Sequence, residues 1–157
     1  MKIKLITVGK TTDANLLHLE EQYRSRLKFY IPFDILIIPE LKNTKNISIS
    51  EQKEKEGELI LKSIESSDNV ILLDEKGQQF TSKEFSLLIE KKQHLGTKNV
   101  VFVVGGPYGF SEKIYKRADS LISLSKMTFS HQMIRVFFIE QLYRAMTILK
   151  GEPYHHE

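Results

Sequence analysis

The six residues Asn99–Val104, NVVFVV, constrain the fold of this chain more than any other stretch. Every position after Asn99 is apolar, so the run reads as a strand with no solvent-facing side. Such a strand needs a covering layer on each face, which is what a helix-flanked parallel sheet provides. Less uniformly apolar strand-like runs lie at 3–9 (IKLITVG), 33–39 (FDILIIP), 69–77 (NVILLDEKG, turning at 74–77) and 120–125 (SLISLS). Helix-like segments alternate with them. Residues 14–30 place Leu16, Leu17, Tyr23, Leu27 and Tyr30 near helical spacing, and Pro32 stops the pattern. Residues 40–50 are polar and aperiodic, a loop. Residues 51–67 form a charged helix with an apolar side at Leu59, Ile60 and Ile64. Thr81 and Glu84 have capping-box spacing and open a helix to about Gln93. A short helix capped by Ser111 follows, and residues 126–130 form a loop. The last helix runs from about His131 to Lys150, with Gly151 just past its end and Pro153 beyond.

This order predicts one α/β domain over residues 1–157, a parallel sheet with helices on both faces. Ligands of such sheets bind beyond the carboxyl ends of the strands. Leu73-Asp74, Gly105-Gly106 and Leu124-Ser125 all sit there. The last helix is apolar around nearly its whole circumference, with Met133, Ile134, Val136, Phe137, Phe138, Ile139, Leu142 and Tyr143 among its residues. One side covers the sheet. The other is expected to meet a second copy, giving a two-fold homodimer.

Composition narrows the chemistry. The absence of cysteine removes disulfides, thiolate zinc sites and cysteine nucleophiles. His155 and His156 are adjacent rather than at helical ligand spacing, so no metal is expected. The net charge of +3 is compatible with a polyanionic partner without demanding one. The apolar run from Leu5 to Val8 is too short for a signal peptide, and no stretch approaches the ~20 apolar residues of a membrane helix. A cytoplasmic protein is the expectation.

GGPYGF (105–110) follows a strand and precedes a helix, yet it is neither G-x-G-x-x-G nor a Walker loop. It reads either as a tight turn or as a close backbone approach to a ligand. His131 and Arg135 are spaced to share a helix face, as are Glu140, Arg144 and Thr147. Glu140 and Arg144 are expected to pair, and His131 either faces a ligand or caps the helix. The run EQKEKEGE (51–58) reads as a solvated helix face without chemistry, and Asp74 and Glu75 as turn residues or a carboxylate site.

Together, VFVVGGPYGFS, the stretch SLSKMTFSHQMIRVFFIEQLYRA and GEPYHHE resemble the RlmH (YbeA-like) family of SPOUT-class methyltransferases, which act on large-subunit ribosomal RNA. KIKLITVGK and EKEGE fit as well, so the resemblance spans the chain. It implies a SPOUT fold with a deep trefoil knot near the C-terminus and a homodimer. It also implies methyl transfer from S-adenosylmethionine to N3 of a pseudouridine in 23S rRNA, on assembled ribosomes. Residue by residue, the family's cofactor contacts carry over to Leu73, Gly105, Leu124, Ser125, Lys126, Met127, Thr128 and Phe129. Candidates for handling the N3 proton and steadying the uracil oxygens are His131, Arg135, Arg144, Tyr154 and His155. PYH (153–155) resembles the family's native end rather than the stump of a tag. The tail is expected to fold back toward a cofactor pocket. Two departures stand out: Ser130 where the family often has Pro, expected to loosen the loop before the last helix, and His156 where it has a basic residue. A SPOUT enzyme with another RNA target and a non-enzymatic RNA-binding dimer remain as alternatives.

Overall fold

A computed structural model describes residues 1–156. A five-stranded, all-parallel sheet has the order β2-β1-β4-β3-β5. Its strands are β1 (Lys2–Val8), β2 (Phe33–Ile38), β3 (Asn69–Gln79), β4 (Asn99–Val104) and β5 (Ser120–Ser123). The helices are α1 (Ala14–Leu27), α2 (Ile49–Leu61), α3 (Ser82–His94), α4 (Glu112–Arg117) and α5 (Met133–Leu149). β4 lies at the centre, as its uninterrupted apolar run requires. Alternate residues feed two cores. Val100, Phe102 and Val104 join Ile3, Leu5, Phe85 and Phe138 beneath α1, α3 and α5. Val101 and Val103 join Ile6, Val8, Ile60 and Ile114 beneath α2 and α4.

Several sequence expectations need correction. Residues 74–77 do not end β3: the strand continues to Gln79, and both Leu73 and Gln78 pair with Ile122 across a bulge. A glycine makes this possible, because a Cβ at Gly77 would stand 2.5–2.7 Å from the backbone of Leu121 and Ile122. α2 begins earlier than Glu51, because Ser48 caps it by accepting from the Glu51 N–H. Its charged run is not wholly solvated: Glu56 and Gly57 are buried. Finally, Ser111 stands at the N-cap of α4, but its hydroxyl makes no capping bond and is buried without a partner.

α5 packs against α1 and α3. It starts at Met133 rather than His131, so His131 lies in the preceding loop and shares no helix face with Arg135. Gln132 ties this start to the far side of the sheet, its Oε1 accepting from the Thr12 and Asp13 N–H groups at 2.9 and 3.2 Å. Between β5 and α5 the chain therefore crosses the carboxyl ends of β3 and β4 to reach the end of β1. Ser130 closes the turn without a proline. Its hydroxyl accepts from the Met133 N–H at 3.1 Å and its carbonyl from the Ile134 N–H at 3.0 Å.

Candidate active site

The crossing segment roofs a cleft of about 590 Å³ at the carboxyl ends of β3, β4 and β5. The back wall is the loop 105–109. Gly106 and Gly109 bridge, with the Gly109 N–H donating to the Gly106 carbonyl at 3.1 Å, and Gly109 takes φ of +79°. A Cβ at Gly105 would stand 3.2 Å from the Phe110 ring, so bare backbone faces the cleft. Behind the loop, a Cβ at Gly106 would come within 2.3 Å of Glu56 Oε2. That oxygen is buried and unpartnered, while Oε1 accepts from Gln52 at 2.9 Å. Next to Glu56, Gly57 lets α2 approach the start of α4 closely, since a Cβ there would meet Ser111 Oγ at 2.5 Å.

Leu73, Gly105, Leu124, Ser125, Met127, Thr128, Phe129 and His131 all line the cleft. Lys126, predicted with them, is exposed and does not. The turn 123–127 is held by its own hydroxyls. Ser123 donates to the Ser125 carbonyl at 2.8 Å, and Ser125 Oγ accepts from the Met127 N–H at 2.9 Å. This presents Met127, 76% exposed, and Phe129 at the mouth. Phe129 leans on Phe137 of α5 with ring centroids 4.9 Å apart. Asp74 has two partners: Oδ2 accepts from the Tyr115 hydroxyl at 2.5 Å and Oδ1 from the Lys76 N–H at 2.8 Å. Burial, and then the Asp74 carboxylate, push the Tyr115 phenol up, so it stays a donor at neutral pH.

The five candidate catalytic residues fall in three places. Only His131 lines the cleft. Arg135 is buried and donates to the carbonyls of Val8 (2.8 Å) and Gly9 (3.0 Å) and to Thr11 Oγ1 (3.1 Å). Burial lowers its pKa, which the charges of Glu20 and Glu40 oppose. Its guanidinium straps α5 to the end of β1. Arg144, Tyr154 and His155 form a separate cluster on the C-terminal half of α5. Arg144 pairs with Glu140 at 2.5 Å, stacks over the Tyr154 ring at 4.7 Å and approaches His155 Nδ1 at 3.5 Å. The Tyr154 hydroxyl donates to Glu140 at 3.0 Å and lies 3.4 Å from that of Tyr23. Burial, then these partners, raise the Tyr154 pKa, making it a proton donor rather than a base near pH 7. For Arg144 burial works against the charge, but Glu140 outweighs it. The tail thus folds back, as expected, but onto α1 and α5 rather than over its own cleft.

Residues 1–155 match the family described as predicted SPOUT methyltransferases. This chain belongs to the SPOUT methyltransferase family. It is 61% identical over 157 residues, all of both chains, to the ribosomal RNA large subunit methyltransferase H of Parabacteroides distasonis. It is 61% identical to that of Christiangramia forsetii over 99% of each chain, and 60% identical to that of Flavobacterium johnsoniae over all of both. Among solved structures, a probable methylase family protein from Haemophilus influenzae aligns over 99% of this chain and 70% of its own, with a TM-score of 0.51 and 11% identity. That likeness concerns the fold alone. As a SPOUT methyltransferase the chain transfers a methyl group from a donor.

Sequence reasoning missed Glu56 and Tyr115. Gly57 was the available signal for Glu56: a glycine inside a charged helix marks a close approach. Tyr115 left no signal, because its Asp74 partner lies across the sheet edge.

Proposed function

We propose that this protein uses S-adenosylmethionine to methylate N3 of a pseudouridine in 23S rRNA, in the cytoplasm and on assembled ribosomes. The observation that carries this reading is the cleft itself, in which bare Gly105-Gly106 backbone faces an apolar lip of Leu73, Leu124, Met127 and Phe129. Such a lining suits an adenosyl group, which needs apolar cover and a few backbone hydrogen bonds. Relatives about 60% identical over their full length are named ribosomal RNA large subunit methyltransferase H, which supports an rRNA substrate. S-adenosylmethionine supplies an electrophilic methyl on a sulfonium centre. The protein's part is then positioning, and removal of the proton on N3.

Apart from His131, the residues suited to that proton lie outside the cleft within one subunit. Arg144 stands 11 residues beyond Met133 on α5, about 17 Å along the axis at 1.5 Å per residue. In a homodimer the tail of one subunit can serve the cleft of the other. The exposed stripe of Met133 and Phe137 on α5 supports such pairing. In this arrangement His155 takes the N3 proton, Arg144 steadies the uracil oxygen that gathers charge, and protonated Tyr154 donates a hydrogen bond beside it. We also propose the deep trefoil knot that the resemblance implies. The crossing of residues 124–132 over β3 and β4, and the folding of the 74–77 bulge against β5, support it.

Calorimetry with S-adenosylmethionine and mass mapping of rRNA from unmodified ribosomes test the function. Saturable binding and one added methyl on a pseudouridine are expected. Absence of binding overturns the reading, and a methyl on another RNA redirects it. Mixing a His155→Ala subunit with a Gly106→Ala subunit should restore turnover that neither homodimer has; failure to do so sinks the shared site.

A further inference from the structure

At the opposite end of the sheet from the cleft, α1 runs out into residues 28–32 and presents Phe29 at 88% exposure. Isolated apolar residues at a surface need no explanation, but this one rises from a groove of about 470 Å³ whose other walls include Lys2, Arg24, Lys28 and Phe33. Charge at the groove leans positive. Lys2 is paired to Asp34 at 2.7 Å and Arg24 to Glu21 at 3.2 Å, whereas Lys28 has no carboxylate beside it among the described residues. The tip is also held in shape. Phe29 N–H donates to the Arg26 carbonyl, and the N–H groups of Tyr30 and Ile31 to that of Leu27. The Tyr30 hydroxyl donates to Glu152, and its ring meets Tyr143 edge-on at 5.7 Å. Tyr143 in turn packs on Tyr154 at 4.8 Å. The corner therefore adjoins the cluster of Arg144, Tyr154 and His155 through an unbroken line of aromatic rings.

An exposed ring flanked by cations on a rigid tip is what a sequence-tolerant hold on an unpaired nucleotide requires: a face to stack a base and charges for its phosphates. We propose that the Phe29 corner is a binding site for unpaired RNA, taking nucleotides near the target while the tail engages the modified base. The site rests on the reading of the protein as an RNA-modifying enzyme. It adds grip that a net charge of only +3 would otherwise leave to a few contacts.

The test uses the full-length protein and a fluorescein-labelled single-stranded RNA decamer, read by anisotropy over a salt series. Phe29→Ala should weaken binding by about five-fold or more, the loss of one stacked base. Lys28→Gln should reduce the slope of log affinity against log salt by roughly 0.7, one phosphate contact on a single strand. Both variants should keep the wild-type affinity for S-adenosylmethionine and raise KM for ribosomes with kcat little changed. Unchanged RNA affinity and slope in both variants would overturn the site, whatever the enzyme does to ribosomes. So would a Phe29→Ala protein that loses its dimeric mass in light scattering, since the ring would then be an interface between copies. Failure of wild-type protein to methylate ribosomes, with the decamer result intact, would instead count against the enzymatic reading.

Discussion

One residue, Gly106, shows how little room the cleft leaves. Gly106 lies against a buried carboxylate, so Gly106→Ala forces Glu56 or the loop aside, an overpacking cost of about 1–3 kcal/mol. The expected result is a lower melting temperature together with weaker binding of S-adenosylmethionine in calorimetry. Adding Glu56→Ala should recover part of both, and a double variant no better than the single would disprove the contact. Arg135 is the opposite case, a buried cation whose two terminal nitrogens are held by protein oxygens while its Nε has no partner among the described residues. Arg135→Met abandons two carbonyls and the Thr11 hydroxyl. It should cost about 2–3 kcal/mol in urea unfolding while the folded fraction still binds cofactor. Loss of turnover without loss of stability would place Arg135 in the chemistry instead. Spacing in the sequence grouped Arg135 with His131. Only the true start of α5 separates them, because a two-residue shift of a helix end is not legible from periodicity.

At the scale of elements, the capping box of α3 was legible and is complete. The Thr81 hydroxyl accepts from the Glu84 N–H at 3.2 Å and the Glu84 carboxylate from the Thr81 N–H at 2.7 Å. The Thr81 backbone N–H, then its hydroxyl, hold the Glu84 carboxyl below its ordinary value of 4.5. A depressed acid stabilises the fold above its unfolded-state pKa and loses that contribution as pH falls through the folded-state value. Glu84→Gln should therefore flatten the acid limb of the stability curve below about pH 5, read by urea unfolding at stepped pH. An unaltered limb would show the box to be inert. The strands were equally legible where alternation and apolar runs were strong, as in β4. The continuation of β3 past residue 77 was not, because Asp74-Glu75-Lys76-Gly77 has turn composition, and it is β5, distant in sequence, that pulls the chain back into register.

For the whole molecule, pattern alone reached a helix-covered parallel sheet with a crevice beyond the strand ends, and the structure has both. Pattern could not reach strand order, the crossing from β5 to β1, or the burial of Glu56, since each depends on segments far apart in the chain. Nor could it divide the candidate catalytic residues among their three places. The cleft begins where α5 begins, and the tail cluster hangs from where α5 ends. α5 is therefore a ruler. One residue inserted between Phe138 and Glu140 would carry the tail about 1.5 Å further and swing it about 100° around the axis. Four inserted residues would bring it nearly back to the same face, a turn too far away. Under the shared site proposed above, the distance from Met133 to Arg144 is a dimension that two subunits must match, so the length of α5 answers to more than packing.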